Sequence, residues 1–401
     1  MNLLDKPSIL SRFYTLDALL YRWRWFWQLR PFDYLELPWA DEAPVLRRWL
    51  SGLSRQQIDA LEENSDALSE ALTPFIPDAP QLAELVALPL FPRRPLTVDP
   101  RSDFRVPGRK WEQILAFAES LPYAGGPLLE WCAGKGHLGR VLAQGHGAAV
   151  ESIERESNLC RTGAELAARS GTPLQFHNLD VLSGEVEEVL KPEHHAVALH
   201  ACGDLHRRLI ELAPRRRSRA LSISPCCYHL TVDEIYRPYA APAKASKLAL
   251  TRFDLQLSQQ ETVTGGQRIR RMREQEMIWR LGFDLLQREL RGRDAYLTIP
   301  SMSKSLLQNG FPDFCRWAAQ QQGLPLPENI DFQFYESRGA KRRLEVARIE
   351  IVRHLFRRPL ELWLVLDRAL GLEEAGYRVT LGAFCKKPLT PRNILIHAKL
   401  F

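Results

Sequence analysis

Between Pro127 and Leu142 the chain reads PLLEWCAGKGHLGRVL, and here residue types and spacing first suggest chemistry. Gly134, Gly136 and Gly139 keep the G-x-G-x-x-G spacing, which lets a backbone bend sharply and meet a ligand with no side chain between them. Glu130 stands four residues before Gly134, so E-W-C-A-G-K-G follows an acidic-x-G-x-G-x-G pattern with Cys132 in place of the first glycine. A carboxylate there suits the ammonium group of a methionine moiety and repels a pyrophosphate. The loop Cys132, Ala133, Gly134, Lys135, Gly136 and His137 therefore points to S-adenosyl-L-methionine (SAM) more than to a nicotinamide dinucleotide.

Further candidates follow in chain order. Glu154 comes 20 residues after Gly134, the spacing at which a carboxylate meets the ribose hydroxyls of a nucleoside. Asp180, at the end of a third strand, can accept from an adenine amino group; a turn aspartate is the other reading. The segments H-A-C-G-D (His200 to Asp204) and S-P-C-C-Y-H (Ser224 to His229) follow the fourth and fifth strands. Ligands of open α/β sheets sit beyond the carboxyl ends of the strands, so these segments face the reacting methyl group. His200 belongs with the cofactor contacts and with the acceptor side, and Asp204, Cys226, Tyr228 and His229 are the remaining catalytic candidates. His200, Cys202, Cys226, Cys227 and His229 are also ligand types for zinc. Adjacent cysteines after a strand should point apart, however, and the spacing is no zinc-ribbon pattern, so no metal is expected. Lys110 either faces the cleft or lies on a helix surface.

These residues require strands at 127–130, 148–154, 174–176, 196–199 and 220–224 with helices between them, a β-α-β succession. Two terminal strands, 377–381 and 394–397, joined by a short loop, imply a reversed last strand. The expected fold is a Rossmann-like α/β sheet, mostly parallel with its last strand antiparallel. Residues 1–95 read as a helical N-terminal region ending in a proline-rich linker, and 105–401 as the sheet domain. Residues 236–372 read as a mainly helical insertion before the last two strands, with loop-like breaks at 260–266 and 300–304, too long for an ordinary crossover. The alternation Tyr21-Arg22-Trp23-Arg24-Trp25-Phe26-Trp27 is either a base-stacking platform or an aromatic helix packed on the sheet domain; the second is the commoner use of such residues.

With 401 residues, 45% of them hydrophobic, the chain can bury more than one core. The net charge is +6, and basic residues cluster at 215–219, 268–273 and 341–343; such runs are commonly solvated faces, and polyanion binding is the other reading. Seven cysteines without framework spacing suggest a reducing compartment. With no secretion signal at the start and no apolar run near the ~20 residues of a membrane span, a cytoplasmic protein is expected.

The strings L-L-E-W-C-A-G-K-G-H-L-G, L-H-A-C-G-D-L, P-C-C-Y-H, L-V-L-D-R and T-P-R-N-I-L-I resemble the class I SAM-dependent methyltransferase-like family that includes the eukaryotic tRNA 2′-O-methyltransferases of the acceptor stem. The resemblance covers roughly 105–401. It implies a SAM-dependent methyltransferase acting on RNA, tRNA or rRNA, with protein as the alternative substrate and a non-catalytic SAM- or RNA-binding adaptor as the alternative role. In the tRNA enzymes the loop after the fifth strand reads like C-C-H-H, so Cys226, Cys227 and His229 look like the corresponding positions and Tyr228 departs from them. Pro225-Cys226 also resembles the Pro-Cys of cytosine C5-methyltransferases, in which a thiolate attacks the ring; a buried structural cysteine is the other reading.

Overall fold

The computed structural model describes residues 2–103, 106–172, 174–260, 267–303 and 305–401. The expected domain start at Arg105 and most of the two expected loop breaks, residues 261–266 and Lys304, lie outside the described residues. The chain forms two compact units, one made of Met1–Arg22, Glu84–Gln259 and Arg357–Phe401, the other of Trp23–Ala83 and Gln260–Phe356.

The first unit is built on seven strands: β1 (Leu128–Trp131), β2 (Val150–Glu154), β3 (Leu174–Asn178), β4 (His195–Cys202), β5 (Ala220–Cys226), β6 (Tyr377–Ala383) and β7 (Ile394–Leu400). They lie in the order β3-β2-β1-β4-β5-β7-β6. β1 to β5 are parallel, and β7 runs antiparallel to both β5 and β6. This is the Rossmann-like sheet with a reversed last strand that the sequence leads one to expect. Parallel strands covered on both faces read as apolar runs, and every residue of β1 and β5 is buried.

Six helices matter for the site: α1 (Lys6–Arg22), α2 (Gly108–Ser120), α3 (His137–His146), α4 (Ser157–Arg169), α5 (Asp204–Arg215) and α6 (Arg357–Glu374). Apolar residues of α2 and α3, among them Phe117, Leu138, Val141 and Leu142, pack with Leu128 and Val150 of the sheet in one core. α6 is buried almost all round, and its Trp363 donates to Asp17 of α1 at 2.9 Å. The edge of β6 is covered: Leu4 and Leu381 exchange backbone hydrogen bonds, and Ala383 donates to Pro89 and accepts from Phe91. Such cover removes an unpaired strand edge.

The compact units therefore cut across the sequence boundaries. Residues 1–22 and the proline-rich 84–95 stretch belong with the sheet, because they pair along β6. Of the expected insertion, residues 236–259 and the helix α6 also belong to the sheet unit, because α6 packs on β6 and β7.

The second unit is helical. Its two long helices, Gln267–Arg291 and Phe332–His354, pack together. They meet closely at Gly282 and Gly339, where a Cβ on Gly339 would lie 2.5 Å from the Ile278 carbonyl oxygen. Asp284, fully buried, is bonded by Arg288 and Arg342, and both arginines also reach the Phe32 carbonyl. Trp279, Phe283, Phe311 and Phe314 form its aromatic core. The aromatic-basic stretch from Trp23 to Trp27 packs within this unit, not on the sheet: Phe26 and Trp27 are buried, Phe26 stacks on Trp25, and Arg353 donates to the Trp27 carbonyl.

Candidate active site at the carboxyl edge of the sheet

β1 ends at Trp131, and the next five residues bend through left-handed backbone at Cys132 (φ 58°), Gly134 (φ 59°) and Gly136 (φ 64°) before α3 begins. Gly134 needs glycine for its left-handed φ, and because a Cβ there would meet nothing within 4 Å, its outer side is open. Its N–H donates to Glu154 at 2.8 Å, and the other oxygen of Glu154 accepts from the Glu156 N–H at 2.9 Å. A carboxylate has about four acceptor lone pairs, so Glu154 keeps capacity for two hydroxyl groups.

Glu130 is 4% exposed. It pairs in register with Ser152 on β2, whose hydroxyl donates to it at 2.8 Å. It also accepts from the Gly139 N–H, one of the otherwise unpaired donors in the first turn of α3. A Cβ on Gly139 would lie 2.5 Å from the Glu130 carboxylate, so this glycine makes room for the acid. Burial raises the Glu130 pKa to about 7 against those hydrogen bonds. Among the other loop residues, His137 is buried and faces the Arg140 guanidinium at 2.7 Å. Burial, and then Arg140, lowers its pKa to about 4. Lys135 is exposed, Ala133 donates to the Ile153 carbonyl, and burial lifts Cys132 to about 12.

Asp180 caps its own turn through the Leu182 N–H at 2.9 Å and faces Arg155 at 3.7 Å. His200 sits in a bulge between Leu199 and Cys202 with φ 69°, within 3.3 Å of the Gln113 amide oxygen on α2. The bulge carries β4 on to Cys202, and β5 runs to Cys226. His200, Cys202 and Cys226 therefore sit on strand ends and not in loops. All these positions share the carboxyl edge of five adjacent parallel strands, on either side of the switch point between β1 and β4.

Two acceptor-side candidates are placed differently from the sequence expectation. Tyr228 is 2% exposed, lies under the Arg368 guanidinium at 4.7 Å, and packs edge-on against His206. It faces the interior because the ring has more apolar area to bury than one hydroxyl can hold in water. Asp204 accepts from the Val232 N–H at 2.9 Å, so its carboxylate fastens the loop after β5. Beneath them lies a network that the sequence did not disclose. Arg368 donates to His206 at 3.0 Å and to Tyr236 at 2.9 Å, while His206 Nδ1 lies 2.9 Å from the Ala201 carbonyl, to which it donates. Gln113 and Ser152 were likewise missed. Only Ser152, a buried polar residue in an apolar strand, carried a signal.

The cysteines do not point apart. Cys227 adopts a left-handed conformation (φ 47°), which turns its side chain back toward its neighbour. The sulfurs of Cys202, Cys226 and Cys227 lie within 4.8 Å of one another, with Cys202 and Cys226 3.4 Å apart. Hydrogen bonds from the Cys202 and then the Cys226 thiol hold Cys227 well below the ordinary thiol range. His229 is half-buried, and its Nδ1 is buried with no hydrogen-bond partner.

The arginine runs also sort themselves. Arg215 to Arg219 lie where α5 ends and β5 begins, at the amino edge of the sheet opposite the glycine loop. Arg342 is buried on Asp284, and Arg343 pairs with Glu274 and Glu350. Arg268, Arg270, Arg271 and Arg273 are exposed.

Residues 111–234 match the family model described as a methyltransferase domain. The stretch runs from α2 past β5 and His229, so the match lies within the sheet unit and spans its five parallel strands. No curated protein matches the chain. Two solved structures are similar: WbdD in complex with the kinase inhibitor LY294002 (16% identity, TM-score 0.24) and the bifunctional kinase-methyltransferase WbdD (17% identity, TM-score 0.23). Each match covers 36% of this chain, and the chain spans about a third of theirs, 36% and 35% respectively. No described helix is long and apolar enough to cross a membrane.

Proposed function

We propose that the protein is a SAM-dependent methyltransferase acting on RNA in the cytoplasm. The observation that carries the cofactor is the open left-handed Gly134, whose N–H donates to Glu154, with the Glu130 carboxylate against Gly139 in the first turn of α3. Glu154 has room to take the ribose hydroxyls, the backbone at Gly134 and Gly136 lies against the nucleoside, and Asp180 is placed beyond β3 for the adenine. Glu130 serves the methionine ammonium, whose arrival would draw its buried carboxyl into the charged form. SAM itself supplies an electrophilic methyl on a sulfonium; the chain has only to align an acceptor with it and exclude water.

RNA as the acceptor rests on the family resemblance and on the exposed arginines at 268–273. With Tyr228 in the interior, His200, on the strand adjoining β1, is the acceptor-side residue that this reading puts to the test. The test is methyl transfer from labelled SAM into RNA from cells lacking the protein. Label in RNA supports the reading, and label in protein alone sinks it. His200→Ala should lower transfer by about 100-fold or more while SAM affinity in titration calorimetry stays within about threefold. A matching loss of affinity would reassign His200 to cofactor binding.

A further inference from the structure

We infer that Cys202, Cys226 and Cys227, with His229, hold one zinc ion that ties the end of β4 to the loop after β5. The inference stands apart from methyl transfer. Three thiols from two strand ends already form a triangle, all sulfurs within 4.8 Å. In a tetrahedral site with Zn–S near 2.3 Å, the sulfurs stand about 3.8 Å apart, between the 3.4 Å of the Cys202–Cys226 pair and the 4.8 Å within which all three lie. The second observation is independent: the buried Nδ1 of His229, two residues beyond Cys227, has no hydrogen-bond partner. A buried imidazole nitrogen left unpaired is costly, and a metal satisfies it. Three thiolates and an imidazole suit zinc and disfavour magnesium or calcium. The geometry also requires left-handed backbone at Cys227 and a bulge ahead of Cys202, conformations that persist when something over-determines them. Each thiol that ligates the ion releases its proton to solvent. With four protein ligands the site is closed and structural, which places Cys226 and His229 in ligation and not in acceptor chemistry.

The full chain, purified under reducing conditions without a metal-affinity tag, should carry about one zinc per molecule by elemental analysis. After chelation, one equivalent of cobalt(II) should produce a thiolate-to-cobalt charge-transfer band together with tetrahedral d–d absorption. Cys227→Ser and His229→Ala should each weaken zinc binding by at least about tenfold. Cys160→Ser, far from the cluster, should not. If a ligand variant fails to fold, the zinc content and cobalt spectrum of the wild-type chain still decide. Zinc below about a tenth of an equivalent, with no charge-transfer band on adding cobalt to the reduced protein, overturns the site. A Cys202–Cys226 disulfide in the freshly isolated chain overturns it as well.

Discussion

Glu130 does two things that conflict unless a ligand resolves them. It caps the first turn of α3 and it is buried enough to hold its proton up to about pH 7. In the unfolded chain the same acid titrates near 4.5. The raised value means that the fold binds a proton which the unfolded chain has already released between these two pH values. The stabilisation is therefore complete below about pH 4.5 and is lost as pH rises through about 7, a difference on the order of 3 kcal/mol. Glu130→Gln keeps an acceptor for Ser152 and carries no charge. The gap in unfolding free energy between pH 5 and pH 8 should shrink in this variant, read from urea titrations at both pH values. Affinity for SAM should change in the opposite sense. In the wild type it should rise between pH 6 and 7.5 as the carboxylate ionises, and in Glu130→Gln it should be lower and flat, as calorimetry would show. A variant with wild-type affinity and the same pH slope would remove Glu130 from the cofactor site. Its place was legible in the sequence, because an acid closing an apolar run before clustered glycines marks the end of a buried strand. Tyr228 was not, since a tyrosine beside two cysteines and a histidine reads equally well as a cleft residue. Its inward place depends on Arg368, 140 residues away in the chain, and on His206, which packs edge-on against the ring.

At the scale of elements, the positions of the strands along the chain followed from periodicity, and the reversed β7 followed from the loop before it, while the order of the strands in the sheet came only with the structure. Strand ends were less legible. The bulge at Leu199–Cys202 depends on support from below, where His206 accepts from Arg368 and donates to the Ala201 carbonyl. That support links α5 and α6 to the end of β4, and residues so far apart leave no local pattern. Arg368→Met removes the cation and leaves His206 Nε2, the Tyr236 hydroxyl and Asp367 in a buried setting without it. Removing one partner from such a network costs about 3–5 kcal/mol. A chemical denaturation curve should show a loss of this size. Weaker amide-exchange protection at Ala201 and Cys202 than at β2 would place the effect at the end of β4. A change below about 1 kcal/mol would mean that Arg368 is incidental to the site.

The whole chain is interleaved in a way that composition could not reveal. Residues 1–22 return to the far edge of the sheet, and the helical unit draws on both 23–83 and 260–356. The sequence suggests an N-terminal region and an insertion because each is helical and contiguous. Which surfaces bury which others is a long-range fact. The same sorting bears on how RNA could be held. Three runs of arginine look equivalent on paper, yet one lies at the amino edge of the sheet and another is consumed by buried and paired acids, which leaves 268–273 as the exposed basic stretch. Arg270 faces Glu63 at 3.1 Å, so Arg268, Arg271 and Arg273 are the ones to reverse. Each phosphate neutralised on a single strand contributes about 0.7 to the slope of log affinity against log salt, so the triple change to glutamate should lower that slope by about 2. Filter binding of tRNA across a salt series would measure it, with SAM affinity unchanged as the sign that the sheet unit is intact. An unaltered slope would place the phosphate contacts elsewhere and leave the exposed arginines as a solvated helix face.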